Sequence, residues 1–247
     1  MKQNNNESYS LYNSKAENES TDNQKNDDGS SNNNKDEKIR DMAAVSVESD
    51  DNRIYCMSII GEIEGHTILP PQSKTTKYEH IIPELVRVEE DSSIDGLLLL
   101  LNTMGGDVEA GLAIAEMIAG MSKPTVSIVL GGGHSIGVPL AVSAKYSLIV
   151  PSATMTIHPI RMNGTVIGVP QMFNYFNKLQ DRLIDFVVRN SSIKRKAFRE
   201  LMMETKKIAN DVGTILFGEE AAECGLIDGV GGISDAIGKI KKMISEK

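Results

Sequence analysis

Ser135 has the clearest claim on chemistry. It stands in Gly133-His134-Ser135-Ile136-Gly137, directly after the apolar run Pro124 to Leu130 and the triple glycine 131–133. A G-x-S-x-G string between a strand and a helix holds a serine hydroxyl outward on a tight turn, and its glycines let a substrate carbonyl approach the backbone. The N–H groups that open the following helix lie where an oxyanion would form. The same string suits two other roles: a glycine-rich turn that binds phosphate, or a serine that caps a helix. A serine nucleophile needs a base, and the chain has four histidines. His80 falls in an amphipathic segment and reads as a surface or core residue, and His66 lies in a loop segment with no partner motif. His134 adjoins Ser135, where neighbouring side chains on a turn diverge, and reads as a pocket-lining or turn residue. His158 follows Met155-Thr156-Ile157 and precedes Pro159, which puts it at a strand end as either a base or a structural histidine.

These residues meet only if the elements that carry them end on one side of a sheet. Ile54 to Ile60 is an apolar run bounded by Gly61, as expected of a buried strand. Tyr78 to Val88 has helical apolar spacing, with Pro83 in its first turns. Leu97 to Leu101 is five leucines, a length that fits a buried strand, and Gly105-Gly106 is expected to stop it. Val108 to Met121 reads as an Ala-rich helix. Pro124 to Leu130 reads as a strand ended by the glycines, Ser135 to Ala144 as a helix, and Tyr146 to Val150 and Met155 to Ile157 as short strands. Strand, glycine turn, helix, repeated, is an α/β pattern with parallel strands, and in such folds reactive groups collect at the strand ends that feed the helices. The second half is mainly helical: Val169 to Val188, with a stripe of Met172, Phe173, Phe176, Leu179, Leu183, Phe186 and Val187; Ser192 to Lys206; Glu219 to Cys224, closed by Gly225; and Ile233 to Ile244. Leu226-Ile227 reads as an extended run.

Composition narrows the function classes. The 247 residues carry 26 Lys and Arg against 34 Asp and Glu, a net charge of -8. That balance argues against nucleic acid as a partner, since phosphate binding needs clustered cations. Cys56 and Cys224 are far apart, without metal-ligand spacing, and read as buried reduced thiols. No apolar stretch approaches the roughly 18 residues of a membrane helix, and Met1 to Asn6 is polar, unlike a secretory signal. The expectation is a soluble cytoplasmic protein with no membrane anchor, no metal and no cofactor. No GxxxxGK[ST] loop occurs, so any ATP use would come from a partner. Residues 1–45 are dominated by Asn, Ser, Asp, Glu and Lys and are expected to form a disordered polar tail.

From Gly61 to Asp228 the sequence resembles the ClpP family of serine peptidases. Asn102-Thr103-Met104-Gly105-Gly106 is similar to the family's Asn-Ser-Pro-Gly-Gly turn, and Gly111 with its Ala-rich helix matches in position. Gly133 to Gly137 falls on the nucleophile turn, Ser152 to Pro159 on the strand ending in the catalytic His, and Glu219 to Asp228 on the family's Glu-Ala-x-x-x-Gly-Leu-Ile-Asp ending. The string Asp211 to Leu216 resembles a translocation-enhancing subgroup more than ordinary ClpP. The resemblance implies a ClpP/crotonase-like spiral of β-β-α units with a helical C-terminal half, spanning 46–247 as one peptidase domain. It implies Ser135 as nucleophile, His158 as base, and the N–H groups of Gly106 and Ile136 as the oxyanion hole. The family's acid column falls on Gly213, so the acid is expected at Asp211, with Asn210 or water as the alternative. Met104 replaces the family's Pro, and Arg161 to Val169 is longer than usual. Peptides or unfolded proteins as substrates, a homo-oligomeric ring, heptameric in the family, and a Clp-type ATPase partner are further implications. Two readings compete: a crotonase-type acyl-CoA enzyme on the same fold, and a ClpP-derived protein that assists export or processing without cutting.

Overall fold

The computed structural model describes residues 44–49, 52–161, 168–206 and 211–247. Residues 1–43 of the expected tail lie outside these, and its last two residues, Ala44 and Val45, open the first strand. The described residues form β1 (Ala44–Ser49), β2 (Asn52–Glu64), β3 (Thr75–Lys77), α1 (Tyr78–Glu90), β4 (Gly96–Gly106), α2 (Val108–Gly120), β5 (Thr125–Gly133), α3 (Gly137–Val142), β6 (Tyr146–Ile149), β7 (Thr154–Ile157), α4 (Val169–Arg189), α5 (Arg195–Met202), β8 (Thr214–Phe217), α6 (Gly218–Glu223), β9 (Gly229–Val230) and α7 (Ile233–Ser245). The strands order as β1-β2-β4-β5-β6-β9, with β3 on β2 and with β7 linking β5 to β8. The pairs β2–β4, β4–β5, β5–β6 and β6–β9 are parallel, and β1–β2 and β7–β8 are antiparallel. This is the mixed α/β architecture, mostly parallel, that the alternating pattern implied.

The leucine run shows why a parallel sheet forms here. Leu97, Leu99 and Leu101 enter the large core, while Leu98 and Leu100 turn to the other face, where Ile240 and Ala236 of α7 cover them. A strand apolar on both faces must be buried on both, and full burial stabilises by about 1.5–3 kcal/mol per leucine. The buried ammonium of Lys123 donates to the carbonyls of Val88 (2.7 Å) and Asp91 (2.6 Å) at the end of α1, a cation at the negative end of a helix.

Several boundaries differ from the expected ones. β4 and β5 end at their glycines, as expected, but the glycines belong to the strands rather than lying beyond them. Gly105 and Gly106 stay paired with Glu62 and Ile63 of β2, and β5 runs on through Gly133. At Gly106, the last residue of β4, a Cβ would lie 2.3 Å from the Ile63 carbonyl oxygen, so the glycine also permits close backbone approach. The helix expected from Ser135 starts at Gly137, and the basic one from Ser192 is confined to Arg195–Met202. Leu226 and Ile227 are not extended: they turn back on α6, their N–H groups donating to the Ala221 carbonyl, and the strand that follows is Gly229–Val230. The stripe of α4 is buried at Leu183, Phe186 and Val187, but Phe173 is 65% exposed. Cys56 and Cys224 are free thiols, half-buried rather than buried. Among the described residues no helix is long and apolar enough to cross a membrane.

Candidate active site

β5 delivers its last residue, Gly133, against Thr103 of β4, and the chain then reverses. The His134 N–H donates to the Thr103 carbonyl (3.1 Å) and the Ser135 N–H to the Thr156 carbonyl of β7 (2.8 Å). The Asn102 side-chain oxygen accepts the Gly132 N–H at 2.9 Å, fixing the glycine stretch from the neighbouring strand. Ser135 itself has φ +57° and is the one non-glycine residue with positive φ among those described. Side-chain-bearing residues pay for that region in steric strain and keep it where function demands it. This excludes the reading of Ser135 as a helix cap: the residue preceding α3 is Ile136, and the Gly137 and Val138 N–H groups bond back to the carbonyls of His134 and Ser135.

Ser135, His158, Gly106 and Ile136 line one cleft of about 130 Å³, and its walls include Val108, Val138, Ile157, Leu183 and Phe198. Four of the five expected site residues therefore share a single cleft. No acceptor among the described residues takes the N–H of the buried Ile136, which leaves that donor free for an oxyanion. A side chain at Gly105 would sit 2.6 Å from Ser135 Cβ, so glycine there makes room for the Ser135 side chain. No hydrogen bond joins Ser135 Oγ to His158 among the described residues. Such bonds commonly tighten only when substrate is present.

His158 holds a definite tautomer. Its Nδ1 lies 2.7 Å from the Pro159 carbonyl oxygen. A carbonyl only accepts, so Nδ1 carries the proton and Nε2 is left as the acceptor. That is the form a general base requires.

Asp211 is not on this imidazole. Its Oδ2 is 2.5 Å from Arg161 Nη2, and its Oδ1 accepts the Val212 N–H at 2.8 Å. The expected contact to His158 is thus replaced by an ion pair with Arg161. Asn210, the alternative, lies outside the described residues. Gly213, where the family resemblance sets the acid column, packs directly against His158: a Cβ there would be 2.3 Å from the Ile157 carbonyl oxygen and 2.9 Å from His158 Cβ. The position facing His158 has no room for a side chain.

Three groups at this cleft escaped the sequence reading. The Pro159 carbonyl is a backbone group without a sequence signature. Thr156 gives its carbonyl to Ser135 and its hydroxyl to His134 Nδ1 at 2.8 Å. The strand periodicity at Thr156 could have flagged it, since it alternates with the buried Met155 and Ile157. Arg161 lines the cleft. Burial, and then the charge of His158, hold the His134 imidazole below its ordinary pKa. Of the other histidines, His80 is exposed on α1, and His66 is exposed with its ring edge-on to Tyr78. No group of three or more His, Cys, Asp or Glu that could hold a metal ion occurs among the described residues.

Comparison with known proteins adds the lineage. The family model described as Clp protease matches residues 51–234. The chain belongs to the Clp protease family. It is 55% identical over 212 residues to the translocation-enhancing protein TepA of Halalkalibacterium halodurans, covering 85% of this chain and 83% of that one. It is 28% identical over 155 residues to the ATP-dependent Clp protease proteolytic subunit 1 of Chlamydia muridarum, 60% of this chain and 77% of that one. A Clp protease proteolytic subunit of Lactococcus lactis is 29% identical over 139 residues, 51% of this chain and 69% of that one. In this Clp protease family member the Ser135 turn and the strand leading to His158 lie within the matched region, and so does Gly213.

Proposed function

We propose that the chain is a serine endopeptidase that cleaves peptides or unfolded proteins by acyl transfer to Ser135. The observation that carries this reading is a serine held at φ +57° in one cleft with a histidine whose Nδ1–H donates to the Pro159 carbonyl. His158 Nε2 removes the hydroxyl proton as Ser135 Oγ attacks the peptide carbonyl. The N–H groups of Gly106 and Ile136 bind the oxyanion. His158 then gives the proton to the leaving amine as the C–N bond breaks, and water, deprotonated by the same nitrogen, hydrolyses the ester. The Pro159 carbonyl orients the ring as a triad acid would, but its dipole stabilises the developing imidazolium less than a carboxylate does. Turnover is therefore slower than that of a complete triad.

The exposed Phe173 and Phe217 support a homo-oligomeric ring, heptameric by the family resemblance and placed in the cytoplasm, with a Clp-type ATPase as the partner that would unfold substrates. Peptide hydrolysis by the wild type, lost in Ser135→Ala, is the expected result; equal hydrolysis by both removes the proposal.

A second reading has its own observation. Asp211 is engaged by Arg161 rather than His158, and the TepA relative is named for enhancing translocation. A chain that assists export without cutting would keep the cleft and lack turnover in every variant.

A further inference from the structure

We propose that Arg161 is a specificity-determining residue whose guanidinium anchors a substrate carboxylate at the rim of the apolar cleft. The proposal rests on the reading of Ser135 and His158 as the cutting pair, and it names the substrates they would meet: peptides with an acidic side chain or a free C-terminus close to the scissile bond.

Apart from Ser135 and His158, the side chains facing this cleft are apolar with one exception. Arg161 is the single described lining residue charged at every physiological pH. A carboxylate entering beside walls such as Leu183, Phe198 and Met202 would lose its water and find one cationic partner. The chain is acidic overall, at -8, so attraction of an acidic peptide needs a local cation rather than the general field.

Arg161 is also free to take on a second carboxylate. Only Nη2 is bonded, to Asp211; among the described residues no acceptor meets its Nε or Nη1. The planar fork keeps one edge for bidentate recognition of a carboxylate. Asp211 is tied down by the Val212 N–H, so it steadies the arginine from one side. The pair is solvent-open, with side chains 55% and 38% exposed, and an ion pair this exposed is weak. A substrate carboxylate can share the guanidinium or displace Asp211 from it. The carboxylate found two residues from Gly213 thus has a role in recognition rather than on the imidazole.

The test uses the full-length chain and matched peptides differing in one group: Glu against Gln beside the scissile bond, and free C-terminus against C-terminal amide. Wild type should favour one charged peptide of its pair by about tenfold in kcat/KM, and which pair responds tells side chain from terminus. In Arg161→Gln the ratio should fall to near one, with Arg161→Lys in between. Equal kcat/KM for both members of both pairs in wild type, or an unchanged ratio in Arg161→Gln, overturns the proposal. If wild type cuts none of them, the peptidase reading has failed by itself, and anisotropy of the same labelled peptides on Ser135→Ala and on Ser135→Ala/Arg161→Gln decides this one. Charge-selective binding lost with Arg161 supports it, and binding indifferent to charge refutes it.

Discussion

Gly213 offers the sharpest perturbation, because the glycine stands where the family has an acid. Adding one methyl group, Gly213→Ala, places a Cβ 2.3 Å from the Ile157 carbonyl oxygen and 2.9 Å from His158 Cβ. Both neighbours belong to the last residues of β7 and its exit, so neither is a flexible tip that swings aside. Restoring ordinary contact displaces the strand end, and His158 with it, by about 1 Å. A displacement of that size near reacting groups lowers rate by about 10²-fold, or about 2.7 kcal/mol of transition-state stabilisation. Gly213 also sits at φ +136°, and alanine in such a region adds about 1–3 kcal/mol of strain, which lowers Tm by about 2–4 °C per kcal/mol in a domain of this size. Gly238 on α7 is the control: a Cβ there meets nothing within 4 Å, so Gly238→Ala should stabilise by about 0.5–1 kcal/mol without touching rate. The assay is the second-order rate of Ser135 labelling by a fluorophosphonate, read by intact mass beside a thermal melt. Gly213→Asp should fare no better than the alanine, because the backbone leaves its carboxylate nowhere to reach the ring. A Gly213→Ala protein labelled within threefold of wild type would refute the argument that this backbone contact places the base.

Two further outcomes follow from buried titratable groups. His134 is held below its ordinary pKa of about 6.5, so the folded chain resists a proton that the unfolded chain accepts. Stability should fall as pH drops below about 6.5, and His134→Gln should flatten that slope in urea melts; Thr156→Val, which removes the hydroxyl bonded to His134, should slow Ser135 labelling, and Thr156→Ser should restore it. Tyr55 lies in the core, donates to Glu84 and has its pKa pushed up to about 12, first by burial and then by that bond. Its folded pKa is above the ordinary value of about 10, so stability should be lost as pH rises from about 10 through 12; Tyr55→Phe should remove that alkaline loss, and an unchanged alkaline melt would count against it.

The parallel sheet was legible because the apolar runs within its strands are short and unbroken: the five leucines, and Pro124 to Leu130, admit little else. The strand-end positions of Ser135 and His158 were legible from the apolar runs that precede them, while their roles came from the family resemblance. The glycines marked the strand ends correctly, but their second role was hidden: only the Ile63 backbone beside Gly106 shows that this glycine also lets two backbones touch. The third member of the site was hidden for a related reason. What holds His158 is the carbonyl of its own neighbour, a group every residue possesses, while Asp211, the acid nearest Gly213 in sequence, is drawn off by Arg161 fifty positions away. β8 was missed because Thr214 to Phe217 is only four residues long and pairs with a distant strand that gives no local signal.

The central claim is that Ser135 is a nucleophile activated by His158, and stoichiometric labelling tests it most directly. Full-length wild type treated with a fluorophosphonate under native conditions should gain one adduct per chain, mapped to Ser135 by peptide mass. Ser135→Ala should gain none, and His158→Ala should react about 10²–10⁴-fold more slowly. A native wild type that stays unlabelled, or a Ser135→Ala chain that labels at the wild-type rate, would contradict the account.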